Sequence, residues 1–150
     1  MLDFINHWPV LWREFGQICL TFLLTAVIGG EREHEEHTAG VRTFPLVGIA
    51  SCGCLLIFGS TSSADQSRVL QGIVTGIGFV GAGAILREGA TVRGTATAAS
   101  IWNAGIIGAS IGTGHYEIGV LLTLLNLFTL HVLMPLKNWL DSRNRARRPQ

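Results

Sequence analysis

The chain alternates between long apolar runs and short polar breaks. Five runs stand out, at about 15–30, 43–60, 69–86, 95–112 and 118–136, each 16–19 residues long. The breaks between them are a dense charged loop (31–42), TSSADQSR (61–68), REGATVRG (87–94) and TGHYE (113–117). Runs of this length lie near the short end of what crosses about 30 Å of hydrocarbon as a helix. Runs 69–86 and 95–112 hold no Asp, Glu, Lys or Arg and are crowded with Gly, Ala, Ser and Thr. Such a composition makes a poor helix in water, where Gly loses the most conformational freedom. In lipid, unpaired backbone amides enforce the helix, and small residues let two helix backbones approach. The pattern predicts an all-α, polytopic membrane protein with about five transmembrane helices, here including 95–112 as a full crossing.

Helical spacing adds faces to these runs. Ala96, Ser100, Ala104, Gly108 and Gly112 recur at every fourth position. Gly72 and Gly76 form a GxxxG, Gln71, Thr75, Gly78 and Ala82 follow a second stripe, and Gly81 and Gly83 continue the small-residue character. The expected tightly packed centre is therefore the hairpin of the third and fourth runs. Gln17, Thr21 and Thr25 mark a mildly polar face of the first run, and Thr123, Asn126 and Leu130 one stripe of the fifth. Residues 1–14 carry Phe4, Trp8 and Trp12 and read as an interfacial segment with rings at headgroup level. They lack the basic start and small-residue cleavage site of a signal peptide. The transmembrane domain occupies 15–136, and a basic tail, 137–150, follows.

Composition agrees with this reading: charged residues are 14% of the chain, about half of what a soluble domain carries. Charge placement then sets orientation. With five crossings, one side holds Arg13 and Arg68. The other holds Arg32, Arg42, Arg87, Arg93 and the tail's Lys137, Arg143, Arg145, Arg147 and Arg148. The positive-inside rule places the N-terminus outside and the C-terminus in the cytoplasm. A re-entrant 95–112 would give a poorer separation of seven basic residues against four. The net charge of +1 carries no nucleic-acid signal.

Candidate chemistry is sparse. Cys19, Cys52 and Cys54 lie inside apolar runs without CxxC or Cys/His spacing, which suits packing rather than a thiol or metal site. Residues 76–81 match GxGxxG, but a dinucleotide site needs a preceding strand and a later acidic residue, and the region near Ser100 has none. Glu31, Glu33, Glu35 and Glu36, with His34 and His37, suggest a weak cation site, but residues 33–37 read as a solvated loop. Glu31 and Arg32 stand at the membrane boundary, where an unpaired charge is costly. With Arg42, Arg87 and Arg93 they are the candidate cytoplasmic-face charge network. Thr97, Ser100 and Asn103 are either interhelical hydrogen-bond groups or a small polar cavity. His131 reads as a hydrogen-bonded residue of the fifth run, no acidic group being available in any run. No Ser/His/Asp set, zinc spacing or paired carboxylates occurs, so neither an enzyme nor a metal or other cofactor is expected.

The segments ERE (31–33), AGVRTFPLVG (39–48), GIGFVGAGAILREG (76–89) and TVRGTATAASIW (91–102) resemble the MgtC/SapB family of bacterial inner-membrane proteins. The resemblance covers about 29–114. The family pattern after the turn is G-L-T-T-A-A, whereas this chain has Gly94, Thr95, Ala96, Thr97, Ala98 and Ala99. Larger members add a soluble C-terminal domain, and the chain resembles the short, membrane-only type. The resemblance implies a multi-pass protein of the bacterial cytoplasmic membrane, linked to growth in low magnesium, acid tolerance or host survival. It favours a regulator of other membrane proteins, with a magnesium channel or transporter as the alternative. The expected partners are the bilayer, a second copy in a dimer and another membrane protein, and no nucleic acid.

Overall fold

The structure is a computed structural model that describes residues 8–33, 39–58, 62–88 and 91–133. Five helices lie among these residues: α1 (Trp8–Glu33), α2 (Thr43–Phe58), α3 (Ser63–Ala82), α4 (Thr95–Gly112) and α5 (Tyr116–Phe128). A π-helical turn, Thr129–Leu133, extends α5. Between α3 and α4 stands an antiparallel hairpin of β1 (Leu86–Glu88) and β2 (Thr91–Arg93), with Arg87 opposite Val92. The all-α expectation holds apart from this hairpin, which replaces the expected turn and takes the end of the third run. The basic tail and the loop residues His34, Glu35, Glu36 and His37 lie outside the described residues.

Two helices start earlier than the apolar runs. Helix α1 absorbs 8–14, so the described part of the expected interfacial segment is its first turns. Trp8, Trp12 and Phe15 follow i, i+4, i+7 spacing and stack edge to face, with centroids 5.9 and 6.0 Å apart. Helix α3 begins inside the polar loop because Ser62 caps it: its Oγ accepts from Asp65 N–H (3.3 Å) and donates to Asp65 Oδ2 (2.7 Å). Helix α4 ends in a Schellman turn at left-handed Gly114, with His115 N–H donating to Ser110 O and Gly114 N–H to Ile111 O. Gly94, φ 85°, joins β2 to α4 where a Cβ would run into Ala84 O.

Contacts between helices fix their directions. Gly29 meets the backbone of Gly40 and Val41, and Gly48 meets Thr25 and Thr21, so α1 and α2 are antiparallel. Gly108 faces the Gly48 backbone and Gly112 faces Cys52, a constant offset that makes α2 and α4 parallel. Gly81 meets Ala98 and Gly105 meets Ile77, so α3 runs against α4. Ser100 bonds Asn126 and Asn103 bonds Leu122, so α5 does too. Helix α4 packs on all four others and is continuous over 18 residues, about 27 Å. One end of the bundle gathers the end of α1, the start of α2, the hairpin, the start of α4 and the π-turn. We call it the hairpin end.

The centre is therefore α4, as its composition suggests, but its closest backbone approach is to α2 rather than to α3. A Cβ on Gly108 would collide with the Gly48 carbonyl, and one on Gly112 would lie 2.8 Å from Cys52 O. Helix α3 is peripheral, with only Ile77 and Gly81 buried.

Gly108→Ala should therefore destabilise the fold by about 1–3 kcal/mol or more, since the obstacle is backbone and cannot swing aside. Gly76→Ala, with nothing within 4 Å of the new methyl, should stay within about 1 kcal/mol of the parent. Thermal or denaturant unfolding of the purified variants checks both; equal effects would contradict the packing described.

Candidate functional site: a buried polar seam and its charged end

The buried polar side chains line one interior seam. Helix α1 contributes Gln17, Thr21, Thr25 and Arg32, α2 Ser51, α4 Thr97 and Ser100, and α5 Thr123 and Asn126. A buried polar group is costly unless it is hydrogen-bonded, and much of the seam is. Gln17 Nε2 donates to Ile111 O at 2.6 Å, tying α1 to the end of α4. Ser100 Oγ donates to Asn126 Oδ1 at 3.1 Å, and half-buried Asn103 donates through Nδ2 to Leu122 O at 3.3 Å. Thr25, Ser51 and Thr123 turn their hydroxyls back on their own helices. Thr97 Oγ, wholly buried, makes no hydrogen bond among the described residues.

The Gln17–Ile111 bond sets a register. Arg32 lies fifteen residues beyond Gln17, about 22 Å along α1. Fifteen residues back from Ile111 along antiparallel α4 is Ala96. Arg32, fully buried, therefore stands at the level of Thr97, also fully buried. Pairing α4 with α5 through Ser100 and Asn126 brings buried Leu130 to the same level. An arginine in such a place can hold its guanidinium inside only through hydrogen bonds or paired charge.

The candidate charge network shares this end. Glu31 is half-buried beside Arg32, and Arg42, Arg87 and Arg93 stand exposed at the start of α2 and on the hairpin. Glu31 Oε1 lies 3.1 Å from His131 Nε2. Glu33, exposed, accepts from Val41 N–H at 3.0 Å and fastens the loop to α1. Sequence reasoning missed the His131 contact because its acidic partner comes from the end of α1, one hundred residues away. It also left Arg32 at the boundary, although the Gln17, Thr21, Thr25 spacing, carried on at helical period, reaches Ile28 and then Arg32.

The helix-packing candidates divide. Ser100, Ala104 and Gly108 are buried on α4, Gly112 is half-buried and Ala96 is exposed. Gly81 meets Ala98 O at 3.2 Å, and Gly83 meets Val80 O in its own turn. Gly72, Gly76 and Gly78 have nothing within 4 Å and open on the outer face of α3. The GxGxxG lies wholly inside α3, where its amides serve the helix rather than a phosphate. Of the candidate polar cavity, Thr97 and Ser100 are buried in the seam and Asn103 is bonded to α5. An apolar pocket of about 220 Å³ lies instead near the opposite end, lined by Leu55, Leu70, Val74, Ile106 and Ala109 among others. Among the described residues no three metal-ligating side chains gather. Asn126→Ala should lose about 1 kcal/mol or slightly more, since Ser100 then loses its partner in the interior. Ser100→Ala should lose a similar amount, as buried Asn126 Oδ1 is then left without its donor; a double-mutant unfolding cycle showing no coupling would contradict the bond.

Comparison with known proteins fits this arrangement. A sequence model described as the MgtC family matches residues 18–139. Protein MgtC of Salmonella typhimurium (strain LT2) is 41% identical over 105 residues, which are 70% of this chain and 46% of that protein. Protein MgtC of Brucella abortus (strain 2308) is 36% identical over 136 residues, 89% of this chain and 57% of that protein. The chain thus spans about half the length of the curated relatives it matches. No solved structure matches it. The match runs from within α1 through α5, with the hairpin and all of the seam but Gln17 inside it, and the chain belongs to the MgtC family.

Proposed function

We propose that the chain is a multi-pass protein of the bacterial cytoplasmic membrane that regulates other membrane proteins by helix docking, without catalysing a reaction. One observation carries the membrane part: large apolar side chains cover the outside of the bundle while a set of polar ones is buried within it. Phe15, Leu23, Leu46, Ile57, Phe79 and Leu124 are 59–84% exposed, while Gln17, Thr21, Thr25, Thr97, Ser100 and Asn126 are buried. Water penalises such a surface, since soluble monomers seldom expose large contiguous apolar patches. Lipid favours it, and leaves polar groups to find each other inside. Two helices, Trp8–Glu33 and Tyr116–Leu133, are long and apolar enough to cross a bilayer. Helices α2, α3 and α4 lie alongside them, which supports five crossings. The charge count supports a cytoplasmic hairpin end, with Arg42, Arg87 and Arg93 at its rim.

The regulatory part draws on the surface of α3. Its open Gly72 and Gly76, with exposed Gln71 and Thr75 beside them, form a small-residue face of the kind that receives another transmembrane helix. A second copy or a target membrane protein would dock there. The family's link to magnesium limitation, acid stress and host survival supplies the setting. The backbone contact of α2 with α4 and the bonded seam favour this over a cation pathway through the bundle.

The test has two arms. Full chain in liposomes loaded with a magnesium-sensitive dye should leave flux at the level of empty vesicles; flux well above it would favour a channel and overturn the regulatory reading. Crosslinking in native membranes should recover a dimer or a complex, and Gly76→Leu should reduce its yield several-fold without unfolding the chain. Recovery of monomer alone would count against docking.

A further inference from the structure

Two wholly buried polar side chains at the hairpin end lie on facing surfaces. Gln17, Thr21, Thr25, Ile28 and Arg32 recur at steps of three or four residues and share one face of α1. Thr21 and Thr25 of that face meet Gly48, whose backbone in turn meets Gly108 of α4. Thr97, Ala104, Gly108 and Ile111 share the matching buried face of α4, and Ile111 O receives Gln17. The register that brings Arg32 to the level of Thr97 therefore also turns the two toward each other, each 0% exposed.

Thr97 belongs to the first turn of α4, and that turn is built of donors. The amides of Thr95, Ala96 and Thr97 come before the first intrahelical bond, from Ala98 N–H to Gly94 O, and Gly94 at the cap position has no side chain to offer them. Side chains lean toward the N-terminus of their helix, so the Thr97 hydroxyl leans toward these amides. It has no hydrogen-bond partner among the described residues, and a buried hydroxyl seldom stays so. Arg32 adds a fixed positive charge and a planar fork of donors. The α1 carboxylates beside it are turned elsewhere, Glu31 to His131 and Glu33 to the Val41 amide.

We propose that the Thr97 hydroxyl, the first-turn amides of α4 and the Arg32 guanidinium form a binding site for a phosphate group. Donors converging from a helix N-terminus, a hydroxyl and a guanidinium match the several acceptor oxygens of a tetrahedral anion. Thr95 and Ala96 are exposed, so the turn is reached from outside the bundle. The same donors serve the phosphate of a lipid headgroup and a free phosphate ion. Either would bridge the end of α1 to the start of α4 and add an anionic partner to a buried guanidinium.

Thermal unfolding of the full chain in maltoside micelles, which carry no phosphate, tests it. One arm adds inorganic phosphate against chloride at equal ionic strength; the other adds phosphatidylglycerol against a neutral glycolipid. The parent should gain stability in a saturable way from at least one phosphate source. Stabilisation by phosphatidylglycerol to which inorganic phosphate adds nothing assigns the headgroup, and stabilisation by inorganic phosphate alone assigns the free ion. Thr97→Val removes the hydroxyl. Without phosphate it should be at least as stable as the parent, since no bond is lost; with it, the apparent dissociation constant should rise about tenfold. Arg32→Lys, which keeps the charge and loses the fork, should weaken binding several-fold, whereas Arg42→Gln at the exposed rim should change it less than about twofold. No stabilisation from either source leaves a water on the hydroxyl, and equal binding by Thr97→Val leaves an adventitious ion only; both overturn the site. So does a Thr97→Val chain markedly less stable than the parent, or unfolded, without phosphate. The helix-docking reading could fail while this result stands.

Discussion

Everything in the bundle is arranged around one place where three helices nearly touch. Gly48 of α2 lies between the methyl-bearing side chains of Thr21 and Thr25 on one side and the backbone of α4 at Gly108 on the other. There is no room for a Cβ on either glycine. This close approach adds dispersion between backbones to the side-chain packing of the core around Ile28, Phe44 and Ile107, as expected where lipid removes the hydrophobic drive for helix association. It also sets the register of α1, α2 and α4 together. From that register follow the level of Arg32 with Thr97 and the gathering of charged groups at the hairpin end.

The same constraint orders the chemistry. Once small residues hold the helices close, polar side chains cannot reach solvent, and they bond back on their own helices or across the bundle. Gln17 bonds across to Ile111 and Ser100 to Asn126. Apolar side chains cover the outside as well as filling the core around Ile28, Phe44, Ile101 and Ile107. The result is a polar thread within the bundle, ending at the level of buried Arg32, with exposed arginines and the Glu31–His131 contact at the same end. Helix α3 stands apart from this logic. Its Gly72 and Gly76 face outward, which is why the proposed docking lies there and not on α4.

Much of the fold was legible in the chain. The five apolar runs became five helices, and α4 follows its run from Thr95 to Gly112 without change. The local signals that mattered were the Ser62 cap, which moved the start of α3 into the loop, and Gly94, whose left-handed backbone leads from β2 into α4. What spacing alone could not supply was partner choice. Two small-residue stripes looked equally suited to packing, but only tertiary geometry shows that the α4 stripe meets α2 while Gly72 and Gly76 meet nothing within reach. The charged site was half legible. Glu31, Arg32, Arg42, Arg87 and Arg93 come to one end, yet the burial of Arg32 and the approach of His131 depend on antiparallel register, which no local pattern encodes.

Labelling from within the bilayer tests the central claim most directly. A lipid-soluble carbene precursor, activated in membranes containing the full chain and mapped by mass spectrometry, should mark Leu23, Leu46, Ile57, Phe79 and Leu124 and leave Thr21, Thr25, Ser100 and Gly108 unmarked. Labels along the α4 interior, or protection of the apolar surface, would contradict an arrangement built on α4 sealed against α2 with its polar thread inside.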